Sequence, residues 1–236
     1  MIETPFKFKK FILYHQKSTL KVGTDAILLG AWAFTENAEK ILDIGCGCGI
    51  ITLMLAQRSN ATIDAVEIDF NSTEEAKRNA EISEWKNRIN IQNISFQDFI
   101  KDKKEVYDLI VSNPPYFSNS LKSNDLNKNL AKHNDSLSYK ELASGISKLL
   151  KTNGKATIIL SKSESKTFKN IALENGLYCN KEMEVFPKTG LKSNRLLMQF
   201  EKQKLEPEIK KISILDSNNK HTTEFINLCK DFYLNF

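Results

Sequence analysis

Short runs of β-branched and apolar residues alternate along this chain with longer segments of helical periodicity. Because strands separated by helices normally pair in parallel, this alternation predicts an open, doubly wound α/β fold with helices on both faces of the sheet. The last two strands form a hairpin, so we expect seven strands, mostly parallel with one antiparallel. The predicted strands are 40–44, 62–66, 89–93, 107–112, 155–160, 178–186 and 195–201.

Helical patterns fill the gaps between these strands and recur in the tail. The predicted helices are 50–58, 72–85, 139–150 and 166–175. The tail, 222–236, has apolar residues at helical spacing, namely Phe225, Leu228, Cys229 and Phe232, so we expect it to pack back on the domain. We divide the chain into a basic and aromatic extension, 1–38, packed on a core domain, 39–236.

Composition limits the class of protein. A chain of 236 residues with 41% hydrophobic content can bury one large core. It has no apolar run near the roughly 20 residues of a membrane span and no signal-peptide pattern, so we expect a cytoplasmic protein. Two of the four cysteines lie between glycines and none forms a C-x-x-C pair, which predicts free thiols and no metal. The net charge of +5 is compatible with a polyanionic partner without establishing one.

A glycine-rich loop, Asp43-Ile-Gly-Cys-Gly-Cys-Gly49, follows the first predicted core strand. Glycines at alternate positions let the backbone turn sharply and approach a ligand closely, because no Cβ intrudes. The spacing differs from the G-x-G-x-x-G of many dinucleotide sites. The Asp43 carboxylate can accept a hydrogen bond from an ammonium group of a ligand. A carboxylate at this position would have no obvious role in binding a pyrophosphate, which is itself negatively charged. Gly45, Gly47 and Gly49 therefore predict a nucleotide-like cofactor, and the alternative is a tight turn without a ligand.

Acidic residues follow the next two strands. Glu67 ends the second strand, where a carboxylate can accept hydrogen bonds from both hydroxyls of a ribose. Asp98 follows the third strand, where it can accept a hydrogen bond from the amino group of an adenine. Phe99 could then pack on the face of the adenine ring. The alternatives are a surface acid beside Asp69 for Glu67, and a helix cap or exposed turn residue for Asp98.

The tetrapeptide Asn113-Pro114-Pro115-Tyr116 ends the fourth strand and predicts the reaction. A planar amino group is a poor nucleophile, because its lone pair is delocalised. The Asn113 side-chain oxygen and the Pro114 carbonyl can accept its two N–H groups and direct the lone pair at an electrophilic methyl. Prolines hold these oxygens in place, and Tyr116 offers a face on which a flat substrate can stack. The alternative is a rigid turn.

The N-terminal extension combines cations with aromatic rings. Lys7, Lys9 and Lys10 alternate with phenylalanines, and they could contact an RNA backbone electrostatically. The alternation favours packing of the rings under the sheet. In the other interpretation the lysines only keep this strand in contact with water.

With these residues in place, the chain resembles the class I S-adenosylmethionine-dependent methyltransferases, in the N6-adenine and N5-glutamine branch with an N-P-P-Y loop. It is most similar to the bacterial tRNA1(Val) adenine-37 N6-methyltransferases, nearly end to end. The segments that carry the resemblance are 21–32, 43–49, 55–58, 66–69, 112–117, 133–137 and 230–236.

The resemblance implies a Rossmann-like fold and methyl transfer from S-adenosylmethionine to N6 of adenosine 37, beside the anticodon of a valine tRNA. The base must be extruded into the pocket. The glycine loop would hold the methionine part, Glu67 the ribose and Asp98 the adenine, while residues 113–116 would hold the target base. No obligate protein partner is implied.

The resemblance extends to RNA contacts with two departures. It nominates Phe117, Lys132 and His133, although Lys132 stands where the family commonly has arginine. A phosphate contact survives that change better than a bidentate one. Ser161 stands where relatives often have proline. We expect 117–136 to be disordered before RNA binds, from its polar composition.

Two other functions stay open. A protein-glutamine N5-methyltransferase shares the loop, but it would carry an added N-terminal helical domain, for which 1–38 is too short. A non-catalytic RNA-binding relative would be expected to lose Asp43, Asn113 or the prolines, and this chain keeps them all.

Overall fold

The computed structural model describes residues 4–18, 22–115 and 137–236. The predictions for Tyr116, Phe117, Lys132, His133 and the order of 117–136 lie outside this part of the chain. The strands are β1 Phe6–Lys7, β2 Ile12–Leu13, β3 Lys40–Ile44, β4 Thr62–Glu67, β5 Ile89–Asn93, β6 Tyr107–Ser112, β7 Leu150–Ser161, β8 Tyr178–Lys188, β9 Arg195–Glu201 and β10 Glu208–Leu215. The helices are α1 Thr24–Trp32, α2 Ile50–Arg58, α3 Phe70–Glu81, α4 Phe96–Phe99, α5 Tyr139–Leu149, α6 Lys162–Glu174 and α7 Thr223–Cys229.

In the described part of the chain, the main sheet has eight strands in the order β10-β8-β9-β7-β6-β3-β4-β5. Only β9 runs antiparallel to its neighbours. The α/β fold class with one antiparallel strand is confirmed, and the predicted count of seven is one strand short. The extra strand, β10, lies at an edge, and its one buried residue, Ile212, follows the exposed Lys210 and Lys211, so its hydrophobic signal is weak.

Several helices differ from the sequence prediction. The single turn α4 was not predicted, and α6 is Lys162–Glu174 instead of 166–175. Helix α1 was not predicted, because residues 26–31 are all buried and no polar face marks a helical period. The prediction of 72–85 for α3 is wrong at both ends. Asp69 caps this helix by accepting a hydrogen bond from the Ser72 amide at 2.8 Å, and the helix ends at Glu81.

The N-terminal extension and the C-terminal tail pack on each other. Phe225, Cys229 and Phe232 are buried, which confirms that the tail packs back on the domain. Phe8 and Phe11 are buried in the same core, so the rings of the extension pack as predicted.

Three hydrogen bonds fix the position of this contact. Lys9 Nζ donates to the carbonyl oxygens of Lys230 and Phe236 at 2.6 and 2.7 Å. Gln57, at the C-terminal end of α2, donates to the carbonyl of Asp231. The extension therefore starts near the end of α2 that is remote from the glycine loop.

From β2 the chain runs along α3 toward the other end of the sheet. Asn79 exchanges two hydrogen bonds with the Tyr14 backbone and also donates to the Cys48 carbonyl at 2.9 Å. The buried Glu75 accepts from the amides of residues 16–18 at 2.8 to 3.0 Å. Burial raises the pKa of Glu75, but the hydrogen bonds from the Ser18 hydroxyl and from these amides outweigh it and hold the pKa below its usual range. Two buried polar side chains thus join the extension to helix α3, and Asn79 joins it to the glycine loop as well.

None of the helices in the described ranges is long and apolar enough to cross a membrane.

Candidate active site

A cavity of about 750 Å³ opens at the carboxyl ends of β3 and β6. Strands β4 and β5 lie on one side of β3, and β6 and β7 lie on the other, so the chain direction across the sheet reverses here. Open α/β sheets bind ligands at such a switch point, where the diverging loops leave a crevice. The glycine loop and the Asn113-Pro114-Pro115 sequence both line this cavity, as the sequence predicts for a cofactor and a substrate held side by side.

The three glycines of the loop divide into two roles. All three adopt left-handed φ angles, from 55° to 83°. A Cβ added at Gly45 or Gly47 would meet no atom within 4 Å, so these two face open space. A Cβ at Gly49 would lie 3.3 Å from the Ala76 Cβ, because α2 begins close against α3. Gly45 and Gly47 therefore form the cradle, and Gly49 permits helix packing.

Asp43 lies beneath the loop and is fully buried. Its Oδ2 accepts a hydrogen bond from the Thr52 hydroxyl at 2.6 Å, and its Oδ1 has no partner within the described part of the chain. Burial raises the pKa of Asp43 to about 7, the Thr52 bond opposes this, and the nearby Glu67 adds to it. A carboxylate in this state favours a positively charged ligand, because a cation would offset the desolvation.

Glu67 connects the end of β4 to the glycine loop. Its Oε2 accepts from the Gly47 amide and its Oε1 from the Asp69 amide, each at 2.9 Å. A carboxylate oxygen can accept a second hydrogen bond, so both oxygens can still accept ribose hydroxyls. The two amides fix the orientation of the carboxylate beside the cradle.

Asp98 and Phe99 lie on α4, beyond the end of β5. Asp98 is held by Ser95, whose hydroxyl donates at 2.7 Å, and by Lys101, whose Nζ lies 2.7 Å from Oδ1. The bonds from Lys101 and Ser95 hold the pKa of Asp98 below its usual range. The helix cap is Ser95, and the Asp98 side chain stays 56% exposed.

The structure does not bring Phe99 to the cavity. Its side chain is 2% exposed and belongs to the core, and Lys103 Nζ lies 3.8 Å from the ring centroid. The ring turns inward because α4 is a single turn with Phe96 and Phe99 on its buried face.

Asn113 follows directly on a buried anchor that the sequence analysis missed. The Ser112 hydroxyl donates to the Ile44 carbonyl at 2.9 Å, and these two residues are also paired across β6 and β3. The anchor fixes the strand that carries Asn113 against the strand that carries the glycine loop. Pro114 is buried and Pro115 is exposed, so the backbone leaves the sheet at this point.

The opposite wall of the cavity was also missed by the sequence analysis. It is formed by the N-terminus of α1 and the start of β9, including Thr24, Asp25, Asn194 and Arg195. Arg195 Nε lies 2.8 Å from Asp25 Oδ2, which joins the two elements by an ion pair. The signal for α1 lay in the family segment 21–32, but no local pattern marks Arg195.

Lys7, Lys9 and Lys10 are not near this cavity. None of these lysines lines it, and Lys9 holds the C-terminal tail. In the ranges that the structure describes, no group of three or more His, Cys, Asp or Glu side chains is arranged to hold a metal ion.

Solved structures share this architecture. A predicted O-methyltransferase from Agrobacterium tumefaciens is similar with a TM-score of 0.67 at 17% identity, over 88% of this chain and 96% of that one. The sequence profile of the methyltransferase small domain matches residues 17–166. The fold and the site thus define a Rossmann-like, S-adenosylmethionine-dependent methyltransferase.

Curated relatives narrow the family. A protein from Bacteroides fragilis is 42% identical over 230 residues, with 97% of each chain covered, and one from Trichodesmium erythraeum is 42% identical over 234 residues, with 98% covered. Both are named tRNA1(Val) (adenine(37)-N6)-methyltransferase. The chain belongs to this family.

Proposed function

We propose that this protein transfers a methyl group from S-adenosylmethionine to N6 of adenosine 37 in tRNA1(Val), in the cytoplasm. The observation that carries the proposal is one cavity lined both by the glycine loop and by Asn113-Pro114-Pro115. Relatives that match nearly the whole chain are named for this reaction on RNA, which favours it over methylation of a protein glutamine.

The cofactor fits the residues present. Gly45 and Gly47 leave open space where other residues would place a Cβ, and the buried Asp43 has one unpartnered oxygen. We assign the methionine part to this loop, the ribose hydroxyls to Glu67 and the adenine to the exposed Asp98. S-adenosylmethionine supplies an electrophilic methyl group when bound.

The protein's own contribution is to orient the target amine. The Asn113 side-chain oxygen and the Pro114 carbonyl accept the two N6 hydrogens, which turns the nitrogen lone pair away from the ring. The Ser112 anchor and the two prolines keep these acceptors from moving. No general base is required, because the nitrogen becomes acidic once it is methylated and solvent can take the proton.

The partner we propose is the anticodon arm of tRNA1(Val), with no obligate protein partner. Position 37 lies in a single-stranded loop, so extruding its base costs less than opening a duplex. We propose that Tyr116 stacks on the extruded base, a contact of about 1 to 3 kcal/mol.

The test is methylation of two unmodified transcripts of this tRNA, one with A37 and one with G37. With labelled S-adenosylmethionine, the A37 transcript should accept about one methyl group and the G37 transcript none. A matched third transcript, with the adenine moved to position 38, controls for loop accessibility. Equal labelling of all three, or labelling of none, would contradict the proposal.

A further inference from the structure

The hairpin between β8 and β9 extends past the active-site cavity. Val185 and Pro187 on one leg and Asn194 and Arg195 on the other line the cavity wall. The turn between them, 188–193, therefore lies at the mouth. Lys192 is two residues from Asn194, a reach of about 7 Å of extended chain.

This turn is held in one conformation. The Leu191 amide donates to the Lys188 carbonyl at 3.1 Å, and Gly190 has a φ of 86°, which matches the glycine position of a type II turn. The Thr189 amide donates to the Leu215 carbonyl at 2.8 Å, and Lys188 Nζ donates to Asn219 Oδ1 at 2.8 Å. The turn 188–193 and the loop 216–221 thus form one surface, the hairpin rim.

The hairpin rim carries three lysines and one acid, Asp216. Lys188, Lys192 and Lys220 make no ion pair with any residue that the structure describes. Of the two acids nearby, Asp216 accepts from the amides of residues 218 and 220, so it is occupied in closing its own loop. The other, Glu224, lies in the first turn of α7.

We infer that the hairpin rim binds the RNA phosphate backbone beside the extruded base. This inference rests on the proposed function. A base placed in the cavity leaves its flanking phosphates at the mouth, and phosphate contacts fix the register of a nucleic acid without reading its sequence. Lysines on a rigid turn at the mouth meet that requirement. The lysines of the N-terminal extension meet it less well, because none of them lines the cavity and Lys9 Nζ is bound to the carbonyl oxygens of Lys230 and Phe236.

The experiment compares two pairs of lysine substitutions. Lys192→Ala with Lys220→Ala removes two exposed charges from the hairpin rim and leaves the Lys188–Asn219 bond intact. Lys104→Ala with Lys204→Ala removes two exposed charges at the opposite end of the strands, before β6 begins and after β9 ends. The readouts are the Kd for the unmodified tRNA as a function of salt, kcat and KM for methylation, and the Kd for S-adenosylmethionine.

We expect the rim pair to raise the Kd and KM for tRNA about tenfold and to lower the slope of log Kd against log salt by about 1.5. The kcat and the cofactor Kd should stay unchanged. The control pair should match the wild type, and Lys192→Arg with Lys220→Arg should restore tRNA binding.

The inference is overturned if the wild type methylates tRNA and the rim pair has the same KM and salt slope. It is also overturned if Lys7→Ala with Lys10→Ala causes the larger loss. A wild type that binds cofactor but methylates no tRNA would instead contradict the proposed function.

Discussion

We expect the buried Asp43 to make cofactor affinity depend on pH. Its pKa in the cofactor-free protein is raised to about 7, chiefly by burial. The ammonium group of S-adenosylmethionine favours the ionised carboxylate, so it should lower this pKa when bound. Since only the ionised form then binds well, affinity should fall as the pH drops below 7.

The size of the effect follows from the fraction of Asp43 that is ionised. With a pKa of about 7, that fraction is roughly one half at pH 7 and about 0.03 at pH 5.5. The Kd for S-adenosylmethionine should therefore rise about 16-fold over this range, or about 1.6 kcal/mol. The range stays below pH 7 because the amino group of the cofactor has its own pKa near 8.

Calorimetric titration at several pH values measures this directly. Asp43→Asn keeps an acceptor for the Thr52 hydroxyl but cannot ionise, so its Kd should be weak and independent of pH. 5′-Methylthioadenosine lacks the amino acid part, and its affinity for the wild type should also stay flat. A wild-type Kd that is constant from pH 5.5 to 7, or an Asp43→Asn variant whose Kd keeps the pH dependence, would contradict the proposed pairing of Asp43 with the cofactor's ammonium group.

Asp43 should also reduce stability as the pH rises. Its pKa in the folded state lies above that in the unfolded chain, so ionisation favours unfolding, and the cost grows until the pH passes about 7. From pH 6 to 8 the free energy of unfolding of the cofactor-free protein should fall by about 1.4 kcal/mol from this group. Urea titration of the wild type and of Asp43→Asn at both pH values isolates this contribution, and an equal change in both proteins would contradict it.

Four further substitutions test separate features of the fold and the site. Gly45→Ala should cost about 1 to 2 kcal/mol of stability because of its left-handed φ, and it should weaken cofactor binding. Gly49→Ala should cost more stability, because its Cβ would also press on α3. Urea titration and the cofactor Kd compare the two variants, and equal stability losses would contradict the separate roles of the two glycines. Glu75→Ala should destabilise the protein by about 2 to 4 kcal/mol, because three amides lose their acceptor. Amide hydrogen exchange should become faster at residues 16–18. A loss of stability below about 0.5 kcal/mol would count against this role of Glu75. Asn113→Ala should lower kcat at least about 100-fold with an unchanged cofactor Kd, while the exposed Asn60→Ala should match the wild type in the same methylation assay.

Much of the sheet could be predicted from sequence, because a buried parallel strand is a short apolar run between turn residues. Strands β3, β5, β6 and β9 have the predicted bounds. Strand β10 was missed since its lysines keep it polar at the sheet edge, and helix α1 was missed because it is buried all round. Both depend on tertiary contacts that a local pattern does not contain.

The site could be predicted where the local backbone conformation requires one particular residue type. The glycine loop and the Asn-Pro-Pro sequence belong to that class, and both line the cavity. Arg195 and Ser112 act through partners 170 and 68 residues away, so no local spacing reveals them. The burial of the Phe99 ring and the hydrogen bond from Lys9 to the C-terminal tail depend on tertiary packing alone.

In the proposed reaction, Asn113 orients one adenosine of the tRNA for methyl transfer to its N6. The most direct measurement is the incorporation of labelled methyl groups into tRNA from cells that lack the modification, with the product mapped by nucleoside mass spectrometry. We expect N6-methyladenosine at position 37 of tRNA1(Val) with the wild type and none with Asn113→Ala. Label at another position or on another atom, or undiminished label with Asn113→Ala, would contradict it.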